Sequence, residues 1–134
     1  MHRHRVVGGL ALACVVCLAG CKTSTAPAVP CVDPVAVFTI GSGTTPTFTW
    51  EPACTAHEIV VMDSVANLMW DVRSDSGSTI ASGVTYGVIP PGPHTQTQAP
   101  VALVAGKSYA AGLYRNYFSS PTPTDVIAAK AFRP

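Results

Sequence analysis

The stretch VAVFTIGSGTTPTFTW, residues 35–50, decides the fold. Two β-rich runs, 35–40 and 45–50, flank a Gly-Ser-Gly-Thr turn signal at 41–44. A turn centred between Ser42 and Gly43 predicts a hairpin in which Val35 faces Trp50 and Val37 faces Phe48. Carried outward, that register sets Cys31 opposite Cys54, although Pro34 and Pro52 interrupt the ladder between them. A cystine here would close a loop contributing about 3 kcal/mol in the chain-entropy model. A metal site is the alternative for these thiols, but no Cys-x-x-Cys and no nearby histidine other than His57 supports it.

Further strands follow between breakers. Residues 57–63 (HEIVVMD) and 68–74 (LMWDVRS) read as the third and fourth. Residues 78–93 hold one or two short strands before Pro-Pro-Gly-Pro, and HTQTQAP is irregular or edge-like. Residues 107–118 form a longer strand with Tyr109, Ala111 and Leu113 on one face. Alanine in DVIAAKAF, 125–132, favours helix, but eight residues between prolines read better as a strand. The expectation is an all-β protein, a seven- or eight-stranded antiparallel β-sandwich over residues 31–134.

Composition agrees with one domain in a chain of 134 residues, rich in Pro (12) and Gly (11), with 48% hydrophobic and only 11% charged residues. Without residues 1–20, which carry Arg3 and Arg5, six Lys/Arg face seven Asp/Glu, a net −1. Such a domain lacks the basic patch that nucleic-acid binding requires.

The amino-terminal segment has its own logic. MHRHR is basic, and residues 6–20 form an apolar run of 15, shorter than the about 20 that span a bilayer. This is the pattern of a secretory signal over residues 1–20. Its last residues, Leu18-Ala19-Gly20-Cys21, match the lipobox of bacterial lipoproteins. That resemblance implies cleavage before Cys21 and acylation of its thiol and new amino group; an ordinary signal peptide with a coincidental cysteine is the alternative. Each buried methylene contributes about 0.8 kcal/mol, so several acyl chains would hold firmly where one binds reversibly. Lys22, in place of an inner-membrane-retaining Asp, points to the outer membrane. Residues 22–30 (KTSTAPAVP) are polar and proline-containing, a tether spanning roughly 28 Å at about 3.1 Å per residue. Cys14 and Cys17 would leave with the signal and Cys21 would carry lipid, so Cys31 and Cys54 remain as one pair in an oxidising compartment.

Two further motifs resemble fibronectin type III domains. Phe48-Thr49-Trp50-Glu51-Pro52 is similar to that family's second strand, and Leu103-Val-Ala-Gly106-Lys-Ser-Tyr109 to its Leu-x-Pro-Gly-x-x-Tyr corner, with Ala105 in place of Pro. The resemblance implies core roles for Trp50, Leu103 and Tyr109, with the Tyr109 hydroxyl on upstream backbone.

No catalytic constellation stands out. Gly-Ser-Gly at 41–43 is a turn rather than a nucleophile elbow. His57 and His94 lie 37 residues apart and read as solvated, and Asp63, Asp71 and Asp75 lack the spacing of a calcium loop. The expectation is no enzyme, no metal and no cofactor beyond the lipid on Cys21. Aromatic residues suggest a contact surface instead. Trp70 sits on an edge-like strand, Tyr114 has the opposite parity to Tyr109, and Arg115, Tyr117 and Phe118 lead into SSPTPT. Exposed, they would suit a protein or glycan partner in the envelope; packing beneath a loop is the competing reading. The function expected is a membrane-anchored, non-catalytic binding module, and the alternative is a passive accessory subunit of an outer-membrane assembly.

Overall fold

A computed structural model describes residues 29–116 and 125–134. The signal segment, the lipobox with Cys21, most of the tether, Tyr117 and Phe118 lie outside the described residues. The described chain is all-β and helix-free, with eight antiparallel strands in two sheets. They are β1 (Val37–Ile40), β2 (Thr47–Glu51), β3 (Glu58–Asp63), β4 (Leu68–Ser74), β5 (Val84–Thr85), β6 (His94–Gln98), β7 (Tyr109–Tyr114) and β8 (Val126–Phe132). One sheet has the order β1-β2-β5 and the other β6-β4-β3-β7-β8. The sheets pack as a β-sandwich, with the apolar residues of their facing surfaces between them. The polar run HTQTQ is indeed an edge strand, and DVIAAKAF is a strand and not a helix.

The first hairpin forms, in a different register from the one the turn suggested. Phe38 pairs with Trp50 and Ile40 with Phe48. The connection is longer than Gly-Ser-Gly-Thr, closing with Gly41 N–H donating to Thr47 O at 2.9 Å. Pro46 has no N–H for a ladder and is buried outside it, its carbonyl accepting from Tyr86 N–H at 2.9 Å. The three-residue shift is odd, so it exchanges the faces of β1. Phe38 and Ile40 turn inward beside Phe48 and Trp50, and Val37 is left exposed. The Phe38 and Phe48 rings stack at 6.4 Å.

Cys31 and Cys54 are nonetheless bonded, with Cα atoms 5.0 Å apart. The hairpin ladder does not bring them together. Pro30 runs parallel to Thr55 in an isolated bridge, with Cys31 N–H donating to Thr55 O and Thr55 N–H to Val29 O. The disulfide thus joins the segment entering the domain to the one leaving β2.

The core holds Phe48, Trp50, Trp70, Leu103, Tyr109 and Leu113 among others. Trp50 Nε1 donates to Cys54 O at 2.9 Å, which satisfies the indole in the interior. Val104 N–H donates to Tyr109 Oη at 2.9 Å, so the corner tyrosine is tied to upstream backbone. The Tyr109 ring meets Phe132 of β8 at 5.8 Å.

Candidate functional site

Among the described residues, Trp70 and Tyr114 do not form the expected aromatic contact surface. Trp70 is fully buried: it lies on β4, an interior strand of its sheet, packed 6.4 Å from Phe48 and 5.2 Å from Tyr86. Its Nε1 donates to Gln96 on β6 at 3.2 Å. Tyr114 does have the outward parity, yet it is only 6% exposed. Gly112 on the same face supplies the reason. A Cβ there would stand 2.7 Å from Tyr114 Cε2 and 2.8 Å from Oη, so the ring lies back over the glycine. Burial, with a smaller contribution from Glu58, pushes the Tyr114 hydroxyl above the ordinary tyrosine range. Arg115 is half-buried, its N–H donating to Asp125 O at 2.7 Å across the base of the β7–β8 connection. Outward parity on the larger sheet is therefore not the same as exposure: Val60 and Glu58, on the face with Tyr114, are also buried.

The two histidines expected to be solvated instead both hold the loop after β4, at one rim of this sheet. His94, Ser74, His57 and Tyr114 stand in succession along it: Ser74 pairs with His94, Ser74 N–H donates to His57 O, and His57 N–H to Tyr114 O. His57 is buried and its Nδ1 donates to Gly77 O. Thr55 Oγ1 donates to Ser78 O at 2.8 Å and Ser74 Oγ to Ser76 O at 3.1 Å. Three consecutive carbonyls of the loop after β4 are thus each capped by a side chain. His94 holds the same loop from the other side, with Nε2 2.9 Å from Thr79 Oγ1 and Nδ1 3.0 Å from Pro90 O. A sequence separation of 37 gave no sign of this convergence, because it depends on β6 returning beside β4.

Next to the rim is a cleft of about 380 Å³ lined by Thr79, residues 81–85, Val88, Pro90 and Pro91. Val88 also borders a second, more open depression of about 490 Å³ formed with Tyr86, Pro100, Val101 and Leu103. Val88, Ile89 and Val101 are each close to half exposed. They form an apolar strip beside the short edge strand β5. Tyr86 anchors it from below. Its hydroxyl donates to Val101 O at 2.7 Å, with Met69 O at 3.1 Å, and burial pushes its pKa up to about 12 against the lowering effect of the Val101 bond.

The three aspartates considered for calcium sit apart. Asp63 caps the β3–β4 turn through Val65 and Asn67, Asp71 accepts from Thr97, and Asp75 accepts from Thr95. Among the described residues no three His, Cys, Asp or Glu side chains gather as a metal site would need. Compared with known proteins, the chain matches no family model, no curated protein and no solved structure.

Proposed function

We propose that this chain is a lipid-anchored, non-catalytic β-sandwich module of the bacterial envelope, acylated at Cys21 and presented on the outer membrane to a protein or glycan partner. The observation that carries the reading is Leu18-Ala19-Gly20-Cys21 directly after a basic, then apolar, leader. The Cys31–Cys54 disulfide supports an oxidising compartment. The Tyr109 hydroxyl bond to Val104 supports the fibronectin type III-like assignment of the sandwich. With Trp70 and Tyr114 buried, the contact surface moves to the apolar strip of Val88, Ile89 and Val101.

Fatty-acid labelling in a bacterial host, with fractionation, tests the anchor. The wild type takes up labelled palmitate and sediments with membranes; Cys21→Ser does neither. Label that persists in Cys21→Ser, or a wild type that stays in the soluble fraction, overturns the reading. For the partner surface, Val88→Asp with Val101→Asp should abolish recovery of cross-linked envelope partners while leaving membrane association unchanged. Unaltered recovery moves the contact elsewhere.

A further inference from the structure

The hydrogen bonds around His94 hold one more donor position than a neutral ring can fill. Pro90 O lies 3.0 Å from His94 Nδ1, and His94 Nε2 lies 2.9 Å from Thr79 Oγ1. Thr79 Oγ1 is 2.7 Å from Ser74 Oγ, which lies 3.1 Å from Ser76 O. These are four links in a row, each needing one hydrogen. The two carbonyls at the ends can only accept. Each hydroxyl supplies one hydrogen, and a neutral imidazole supplies one more. Three hydrogens leave one link unmade. An imidazolium supplies the fourth, and every link then runs in one direction: Nδ1–H to Pro90 O, Nε2–H to Thr79 Oγ1, Thr79 O–H to Ser74 Oγ, and Ser74 O–H to Ser76 O.

We infer that His94 is a pH-sensitive clasp, which on protonation completes this chain and fastens the loop after β4 to the Pro90–Pro91 segment. The ring is seated for that task. Gly92 has φ +121°, and a Cβ at that position would come within 3.0 Å of His94 Cε1, so the Pro-Pro-Gly-Pro turn makes room for the imidazole. Ser74 is fully buried, so an unmade link at its end of the chain is not replaced by bulk water. Thr79 and Pro90 both line the 380 Å³ cleft. The clasp therefore holds two lining residues of the cleft when protonated and frees one tie when neutral.

The other charged or titratable groups on the packed elements are Asp75 of the loop, whose carboxylate accepts from Thr95; Asp71 on β4, which accepts from Thr97; Arg73 on β4, opposite Thr95 of β6 and Glu58 of β3; and His57, on Gly77 O. None of these bonds to the His94 ring among the described residues; its two partners are Thr79 and Pro90. The sign follows from the count. The added link exists in the protonated form, so the loop is firmest at low pH and loosens as rising pH removes that proton. Carboxylates ordinarily stay ionised between about pH 5.5 and 8.

The test is amide hydrogen exchange by NMR on the full chain in detergent micelles, at pH 5.5 and pH 8, corrected for intrinsic rates. Asp75 and Ile80, whose N–H groups donate to Pro93 O and Ala56 O, flank the loop and report on it. One added hydrogen bond predicts roughly 3- to 10-fold greater protection at pH 5.5 in the wild type. Ser74→Ala removes the demand for a fourth hydrogen while leaving Thr79 free to donate to a neutral ring, so its ratio falls to about one. Thr79→Val and His94→Gln flatten the ratio as well, and Thr79→Ser, which keeps the hydroxyl, retains it. Unchanged exchange in the β3–β7 ladder shows that each variant is folded. A wild-type ratio near one, or an undiminished ratio in Ser74→Ala and Thr79→Val, overturns the inference; an undiminished ratio in His94→Gln assigns the effect to His57. These outcomes do not depend on whether Cys21 carries lipid.

Discussion

Replacing Tyr86 by Phe removes one oxygen from the apolar strip and leaves the ring. The loss can be worked out link by link. The hydroxyl's main acceptor is Val101 O at 2.7 Å; its second, Met69 O at 3.1 Å, keeps the N–H of Val101 as a donor at 2.9 Å. One carbonyl is thus deprived, and it belongs to a residue exposed enough for water to reach. The cost is that of one net hydrogen bond, about 1 kcal/mol. Tyr86→Ala also takes away the ring packed 5.2 Å from Trp70, and should cost about 3–5 kcal/mol. Urea unfolding followed by tryptophan fluorescence separates the two. With an m-value of about 1–1.5 kcal/mol/M, the Phe variant lowers the midpoint by about 0.7–1 M. The pH dependence adds a sign. Because the folded-state pKa is raised to about 12, Tyr86's contribution is whole below pH 10 and is lost as pH rises from 10 through 12. The gap between wild type and Tyr86→Phe should accordingly narrow above pH 10. A Phe variant as stable as wild type at pH 7, or as weak as the Ala variant, refutes the reasoning, and so does a gap that stays constant to pH 12.

Reducing the disulfide, or changing both Cys31 and Cys54 to Ser, should cost about 3 kcal/mol for a bridge with a sequence separation of 23, read as a lower thermal midpoint under reducing conditions. Gly112→Ala should destabilise by about 1–3 kcal/mol by displacing the Tyr114 ring, whereas in a Tyr114→Ala background the same change should cost much less; an additive double-mutant cycle would contradict the contact. Asp63 has its carboxyl held below the ordinary range, chiefly by the Asn67 side chain, so its hold on the β3–β4 turn is present above pH 3.8 and lost as pH falls through the lowered value. Exchange of the Val65 and Asn67 amides should speed up at that acid end, and not in Asp63→Ala, where it is already fast.

The sandwich was legible because alternation and breakers mark its strands without tertiary information. TFTWE carries a clean exposed–buried alternation, and the prolines and glycines bound the other runs. The register of the first hairpin was not legible, because VAVFTI offers two apolar parities. Val35 and Val37 share one parity, Phe38 and Ile40 the other; within β1 the larger Phe38 and Ile40 took the core and Val37 was left outside. Pro46 was the signal against a turn at Gly-Ser-Gly-Thr alone, since it cannot donate within β2. Cys31 and Cys54 were paired correctly for a reason that fails: a parallel bridge outside the ladder joins them. Parity misleads at Tyr114, where a glycine two residues earlier leaves space for a ring to lie flat, and the edge-strand reading misleads at Trp70, whose strand becomes interior only because β6 adds beyond it. The convergence of His57 and His94 on one loop depends on the same late strand, and no spacing in the chain encodes it.

The most direct measurement of the proposed anchoring is mass spectrometry of the amino-terminal peptide from the chain produced in a bacterial host. A chain that begins at Cys21 and carries the added mass of diacylglycerol, with or without an amide-linked acyl group, is the predicted result. A chain that retains residues 1–20, or begins elsewhere with an unmodified Cys21 thiol, would contradict it.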